Sequence, residues 1–171
     1  LYTPEIKKSI MPMSGITSES RTGFVVRLAR EPDFQPMAEL IGELLDNEGP
    51  VRSDLKTQIS ALSWLTSRPD SGRALCAILD DKLVGVCTNH YTISTALSEL
   101  VCRIEDVVVN AQHRKRGFGE ALVMSSIEQA KKDGCAKIYL HVGKSNRVAQ
   151  NLYYKLGFKR DEMEIMSYFI D

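Results

Sequence analysis

One stretch of this chain has the residue types and spacing to hold an anion: Val107-Val108-Val109, then Asn110 to His113, then Arg114-Lys115-Arg116-Gly117-Phe118-Gly119-Glu120. The β-branched run reads as a buried strand end, and Gly117 and Gly119 let the backbone turn sharply as a helix begins. The first N–H groups of a helix lack intrahelical partners and carry partial positive charge, so a phosphate suits that point. Arg114, Lys115 and Arg116 add charge, and an arginine fork grips phosphate oxygens in pairs. A glycine pair alone would read as a solvated basic loop; strand, basic turn and helix together favour the anion site. The stretch lacks both the Gly-Lys-Ser/Thr ending of a P-loop and the third glycine of a dinucleotide fold.

Just upstream, Arg103-Ile104-Glu105-Asp106-Val107 puts two carboxylates inside an apolar strand. Such groups are costly unless paired or useful, and burial raises a carboxyl pKa toward the range of a working base. Period-two alternation puts Glu105 with Val107 and Val109 on one face and Asp106 on the other, which predicts different jobs for the two. Either carboxylate could instead pair structurally with Arg103 or a loop donor, and Asp106 reads equally well that way and as a base. His90, His113 and His141 are far apart with no partner at metal-ligand spacing, so no metal site is expected. His113 reads as an exposed turn residue, and His141 as a candidate substrate contact or base. Cys76, Cys87, Cys102 and Cys135 read as buried free thiols. Cys102 is near the carboxylates, but no His or Asp spacing marks it as a nucleophile.

A second block, Asn146-Arg147-Val148-Ala149-Gln150-Asn151-Leu152-Tyr153-Tyr154-Lys155-Leu156-Gly157-Phe158, follows at a distance. With Arg114-x-x-Gly117-x-Gly119 before it, the chain resembles the GCN5-related N-acetyltransferase (GNAT) superfamily, whose two motifs occur in this order and separation. The resemblance implies an α/β fold with a mixed, largely antiparallel sheet of six to seven strands flanked by about four helices. It implies acetyl-CoA as acyl donor, with the pyrophosphate on Arg114, Lys115, Arg116, Gly117, Phe118, Gly119 and Glu120. Val107, Val108 and Val109 would meet the thioester and pantetheine, with the backbone N–H of Val107 or its neighbour as oxyanion donor. In the family the strand bearing them splays from the next one, here a candidate over Lys137 to Val142.

By the same resemblance Glu105 is the base, Tyr153 protonates or hydrogen-bonds the leaving thiolate, and Lys155 joins the coenzyme contacts. Tyr154 falls at an outward position. Asn146 is read either as a pantetheine contact or as a helix N-cap. The run Ile104-Glu105-Asp106-Val107-x-Val109-Asn110 resembles glucosamine-6-phosphate N-acetyltransferases, a subgroup that dimerises through its C-terminal strands. Gly143 stands where that subgroup has an acidic contact, and Glu164 to Asp171 lacks its arginine. The expected activity is direct transfer to the primary amine of a small molecule. A peptide or protein N-acetyltransferase and a non-catalytic acyl-CoA-binding regulator are the alternatives.

The elements that must position these groups follow from length and pattern. With 171 residues, 43% hydrophobic and 26% charged, the chain is long enough for one α/β domain with a sizeable core, placed over residues 23–171. Residues 1–22 read as an extension packed on the domain or on a second subunit. Net charge is zero, so no global field draws the chain to nucleic acid or an anionic membrane; a cytoplasmic protein is expected.

Phe24 to Ala29 reads as a strand, and Met37, Leu40, Ile41, Leu44 and Leu45 as a helix face ending near Asn47 and Gly49. Ser53 is the expected cap of a second helix carrying Leu55, Ile59, Leu62, Leu65 and a packed Trp64. In the family the segment between these helices, with Asn47, Glu48, Pro50 and Arg52, covers the acceptor. Ala74 to Leu79 and Leu83 to Ile93 flank a hairpin turn at Asp80-Asp81-Lys82, and a loop over Ser94 to Glu99 leads into Val101 to Val109. A helix follows from Gly117 to Lys132 with Phe118, Ala121, Leu122, Ser125 and Ile127 inward. The last elements are a strand from Lys137 to Val142, a helix from Asn146 to Leu156 and a strand from Glu164 to Ile170.

Overall fold

The computed structural model describes residues 18–19, 23–48, 53–168 and 170, and among side chains omits those of residues 18, 19, 47 and 48. Two compact units divide at His141 and Val142. The expected extension over residues 1–22 lies outside the described residues except at Ser18 and Glu19. So do Pro50 and Arg52 of the acceptor-covering segment, along with the side chains of Asn47 and Glu48.

The first unit is built on one sheet: β1 (Ser18–Glu19), β2 (Phe24–Leu28), β3 (Gly72–Leu79), β4 (Lys82–Ser94), β5 (Glu99–Val109) and β6 (Lys137–Leu140). The strands lie side by side in chain order. Pairing is antiparallel as far as β5, because each strand turns directly back on its predecessor or returns after helices. Between β3 and β4 the turn is the two residues Asp80 and Asp81, at φ 47° and 60°. Left-handed values at both centres are those of a type I′ hairpin, which matches strand twist. β5 and β6 are parallel, and the helix between them supplies the crossover that a parallel pair requires. Among the described residues five strands have four or more residues and β1 has two, so the expected six to seven full strands are not confirmed.

The helices are α1 (Phe34–Glu48), α2 (Leu55–Thr66), α3 (Phe118–Lys132) and α4 (Arg147–Lys155). α1 and α2 cover one face of the sheet, where Met37, Leu40, Ile41, Leu62 and Leu65 cluster with Ala74, Cys76, Val86 and Val108. α3 covers the other face through Leu122, Val123, Ser126 and Ala130, all fully buried. Its burial includes Val123, Ser126 and Gln129 rather than centring on Ser125 and Ile127. The buried Asn89 side chain donates to the Ser126 carbonyl at 3.0 Å and accepts from the Ser126 hydroxyl. This polar pair fixes α3 against β4, because an unpartnered amide in that place would cost about 1–3 kcal/mol.

Two expectations for α2 are corrected. Its cap is Asp54, whose carboxylate accepts from Thr57 N at 2.9 Å, while Ser53 bonds Asp46 through both backbone and hydroxyl. Both residues are good cappers, and the Asp46 carboxylate claims the first of them. Trp64 does not pack inward: it is 58% exposed, and the Arg68 guanidinium lies 4.2 Å from its ring centroid. A cation over the ring face keeps the charge hydrated while covering the indole.

In the second unit α4 is capped by Asn146, whose side chain accepts from Ala149 N at 3.1 Å. Gly157 ends it at φ 91°, and Phe158 N then bonds Tyr153 O, an αL helix stop. The expected strand over Glu164 to Ile170 does not form among the described residues, where residues 163–168 have no regular structure. Met163, Ile165, Met166, Tyr168 and Ile170 are exposed there. No described helix is long and apolar enough to cross a membrane.

Candidate active site

The carboxylates are placed by an irregularity in β5. Val86 faces Val108 but Thr88 faces Glu105, so one residue of β4, Cys87, stands opposite two of β5, Asp106 and Val107. The extra residue bulges at Asp106, which sits at φ 50°, a left-handed value that aspartate tolerates better than most residues. Alternation is lost there, and the expectation of opposite faces for Glu105 and Asp106 is overturned. Both now share a side with Thr88 and His90, which follow Val86 at two-residue steps on the face that α1 and α2 cover.

The four side chains and Arg103 form one network. Arg103 Nε lies 2.8 Å from Glu105 Oε1 and His90 Nε2 lies 3.3 Å from Glu105 Oε2. The Arg103 contact is an ion pair off hydrogen-bonding angles, since that Nε makes no directed bond. Thr88 Oγ1 donates to Asp106 Oδ2 at 2.8 Å and is 3.1 Å from His90 Nε2. Burial pushes the Asp106 carboxyl above its ordinary range; the Thr88 hydrogen bond opposes this, and the neighbouring Glu105 charge adds to it. His90, Glu105 and Asp106 each offer a ligand atom within 4.8 Å of the others. A divalent cation fits such a spacing, although Arg103 already supplies positive charge there.

Beyond this cluster β5 runs toward the anion turn with one edge bare. Its ladder with β6 ends at Ile104 and Leu140, and no other described strand pairs on that side of Val107, Val108 and Val109. β6 is thus the expected neighbour, and it stops where the motif begins.

At the turn, Lys115 (φ 61°) and Gly117 (φ 89°) are left-handed, and Gly117 is the N-cap of α3. Phe118 is buried and stacks on Phe24 with centroids 4.4 Å apart, which anchors the first turn of α3. Arg114 Nε donates to Val109 O at 3.0 Å. Arg116 reaches His113 Nδ1 at 3.1 Å and lies over the Phe118 ring. The Arg114, Lys115 and Arg116 side chains are exposed, while Gly119 and Glu120 are partly buried in the first turn. Three exposed cationic residues thus precede the N-terminus of α3, where helix N–H groups and the dipole also favour an anion.

In the second unit Tyr153 is buried, stacked edge-on against Phe158 at 5.8 Å, and Tyr154 is exposed. The exposure of Tyr154 agrees with its expected outward position. Asn146 is the N-cap, one of its two expected roles. Lys155 lies in the last turn of α4. His141 is exposed, its ring 5.9 Å from Tyr139. The described cysteines are free, Cys135 half-buried and the others buried; burial pushes the Cys102 thiol up to about 12.

Arg103, expected as a structural partner of a carboxylate, pairs with Glu105, while Thr88 and His90 are the members that sequence reasoning missed. Their signal was the hairpin register: counting back from the Ser94–Glu99 closure pairs His90 with Arg103 and Thr88 with Glu105.

Similar proteins give this geometry its context. A model of the acetyltransferase (GNAT) family matches residues 37–158. An uncharacterized N-acetyltransferase of Methanocaldococcus jannaschii is 33% identical over 100 residues, which are 58% of this chain and 44% of that protein. The chain thus matches less than half the length of that relative. A glucosamine 6-phosphate N-acetyltransferase of Trypanosoma brucei brucei is 30% identical over 132 residues, covering 66% of this chain and 88% of that one. A solved transcriptional regulator from Bacillus halodurans superposes with a TM-score of 0.75 at 24% identity, over 85% of this chain and 99% of that chain, a likeness of fold. The family match takes in the bulge, the anion turn and the Asn146 to Phe158 block together, and by it the chain belongs to the acetyltransferase (GNAT) family.

Proposed function

We propose that the protein is an acetyl-CoA-dependent N-acetyltransferase that acts on a small primary amine by direct attack, with no acyl-enzyme. The observation that carries this reading is the β5 bulge. It sets two carboxylates beside a bare strand edge that runs directly into a basic helix N-terminus.

The amine nitrogen bonds to the thioester carbonyl carbon, the carbon–sulfur bond breaks, and one proton leaves the nitrogen for the Glu105–Asp106 pair. Glu105 is the assigned base and Asp106 the second acceptor, its raised pKa suiting it to hold a proton. The backbone N–H of Val107 or its neighbour bonds the carbonyl oxygen as it gains charge. Tyr153 protonates the departing thiolate, a role that rests on its motif position. The pyrophosphate lies on Arg114, Lys115, Arg116 and the Gly117 to Glu120 turn, and Asn146 and Lys155 complete the coenzyme contacts. Cys102, held protonated by burial, is unsuited to carry the acetyl group.

Glucosamine 6-phosphate is the first acceptor to try, supported by the Trypanosoma relative that carries that name. The test is thiol release from acetyl-CoA across amino sugars, amino acids, polyamines and peptides. We expect amine-dependent release with a small acceptor, lowered by about a hundredfold or more in Glu105→Gln. Coenzyme A binding without release from any amine would refute the reading.

We also propose a homodimer formed through the C-terminal segment, supported by its five exposed apolar side chains. Light scattering of the full chain and of a form cut after Glu162 tests this. A dimer that reverts to monomer is expected, and a monomeric full chain would contradict it.

A further inference from the structure

We infer that His90 is a positioning residue that, with Thr88, links the two carboxylates so that the proton state of Asp106 governs the orientation of Glu105. The inference rests on the reading of Glu105 and Asp106 as the amine's proton acceptors.

The link follows from counting protons. Thr88 has one hydroxyl hydrogen, and it is committed to Asp106 Oδ2 at 2.8 Å. Its oxygen can then only accept. His90 Nε2, at 3.1 Å from that oxygen, must carry the hydrogen, which assigns the Nε2–H tautomer to the neutral ring. The same nitrogen lies 3.3 Å from Glu105 Oε2, a close charge contact that stands beside the directed bond to the threonine oxygen. Glu105 thus meets positive charge at both oxygens, the His90 N–H dipole near Oε2 and the Arg103 guanidinium near Oε1.

When Asp106 takes up a proton it becomes a donor, and its O–H can point at the Thr88 oxygen. The threonine hydrogen must then leave Asp106, and among the described residues His90 Nε2, 3.1 Å away, is in reach of that hydroxyl. To accept there the neutral ring must give up its Nε2 proton to solvent and take one at Nδ1, for which its 35% exposed side chain leaves access; a lone pair then faces Glu105 Oε2 in place of an N–H, and the carboxylate turns away on that side. Thr88 is 2% exposed, so bulk water does not short-circuit the exchange. The charged and titratable groups facing His90 across the sheet are Arg103, Glu105 and Asp106 of β5; Gly72, its partner on β3, brings no side chain. None of this depends on acetyl-CoA being the donor, only on a proton arriving at the pair.

Two measurements on the full chain test the link. Nitrogen NMR of the imidazole, at a pH where the ring is neutral, reads the tautomer of His90 without any turnover. The Nε2–H form is expected in the wild type, with a change in the ring signals in Thr88→Val; an Nδ1–H ring in the wild type would overturn the inference. The second is kinetic and compares His90→Gln, which keeps an N–H donor, with His90→Phe, which keeps a ring and loses it. We expect the Phe variant to lose about tenfold in kcat with the KM for acetyl-CoA within about twofold, and the Gln variant to recover most of the loss. Equal kcat in the two variants would also overturn it. Should no amine support transfer, the acetyltransferase reading fails, and the tautomer alone decides whether the link stands.

Discussion

At φ 50° Asp106 occupies a conformation that asparagine adopts as readily as aspartate, so Asp106→Asn changes charge while keeping shape. Burial holds the folded-state pKa of this carboxyl above its unfolded value. For an acid the sign is then fixed: the folded state binds the proton more tightly, and stability is lost as pH rises through the folded pKa. Asp106→Asn removes that loss. At neutral pH the variant is expected to melt about 2–4 °C above the wild type, with the gap closing as pH falls below the ordinary carboxyl range. Thermal melts across that range check it, and a gap that widens in acid would contradict it. Activity should fall in the same variant, the usual relation between a costly buried charge and its use. Glu105 and Asp106 were legible as chemistry from their place in an apolar strand. Their common face was not, because one extra residue in β5 reverses the alternation and no residue type announces it.

The stretch from β5 to α3 shows what an element scale reading captures. Its strand, basic turn and helix were each visible because β-branched residues, glycines and a helical apolar period succeed one another without overlap. Asp80-Asp81 was likewise readable as a hairpin. The α2 cap was misplaced by one residue, because Ser53 and Asp54 are both competent and only the position of Asp46 decides between them. Two glycines carry predictions at this scale. Gly117, at φ 89°, has no atom within 4 Å of where a Cβ would sit, so Gly117→Ala acts through backbone conformation alone. The cost is about 1–2 kcal/mol of stability, together with a rise in KM for acetyl-CoA measured by initial rates. Gly72 is limited by space: a Cβ would lie 1.9 Å from Asn89 O and 2.7 Å from Leu65 Cδ1. Gly72→Ala should destabilise by about 1–3 kcal/mol or more in urea unfolding, and unchanged stability would refute that crowding.

For the whole molecule, the family and its sheet were readable because the two motifs sit in different parts of the chain and in fixed order. The strand expected over Glu164 to Ile170 does not form among the described residues, since a strand needs a neighbour to bond with and a sequence pattern cannot name one. The exposed Trp64 has the same lesson, since an apolar helix position is buried only where another element covers it. The central claim is that the carboxylate pair at the bulge takes the amine's proton while the anion turn holds the donor. Thiol release from acetyl-CoA, compared between the wild type and a Glu105→Gln, Asp106→Asn double variant with coenzyme A affinity measured by calorimetry, tests it most directly. Release should fall by about a hundredfold or more with affinity held within about twofold; equal release by the two proteins, or coenzyme A affinity lost along with it, would contradict the account.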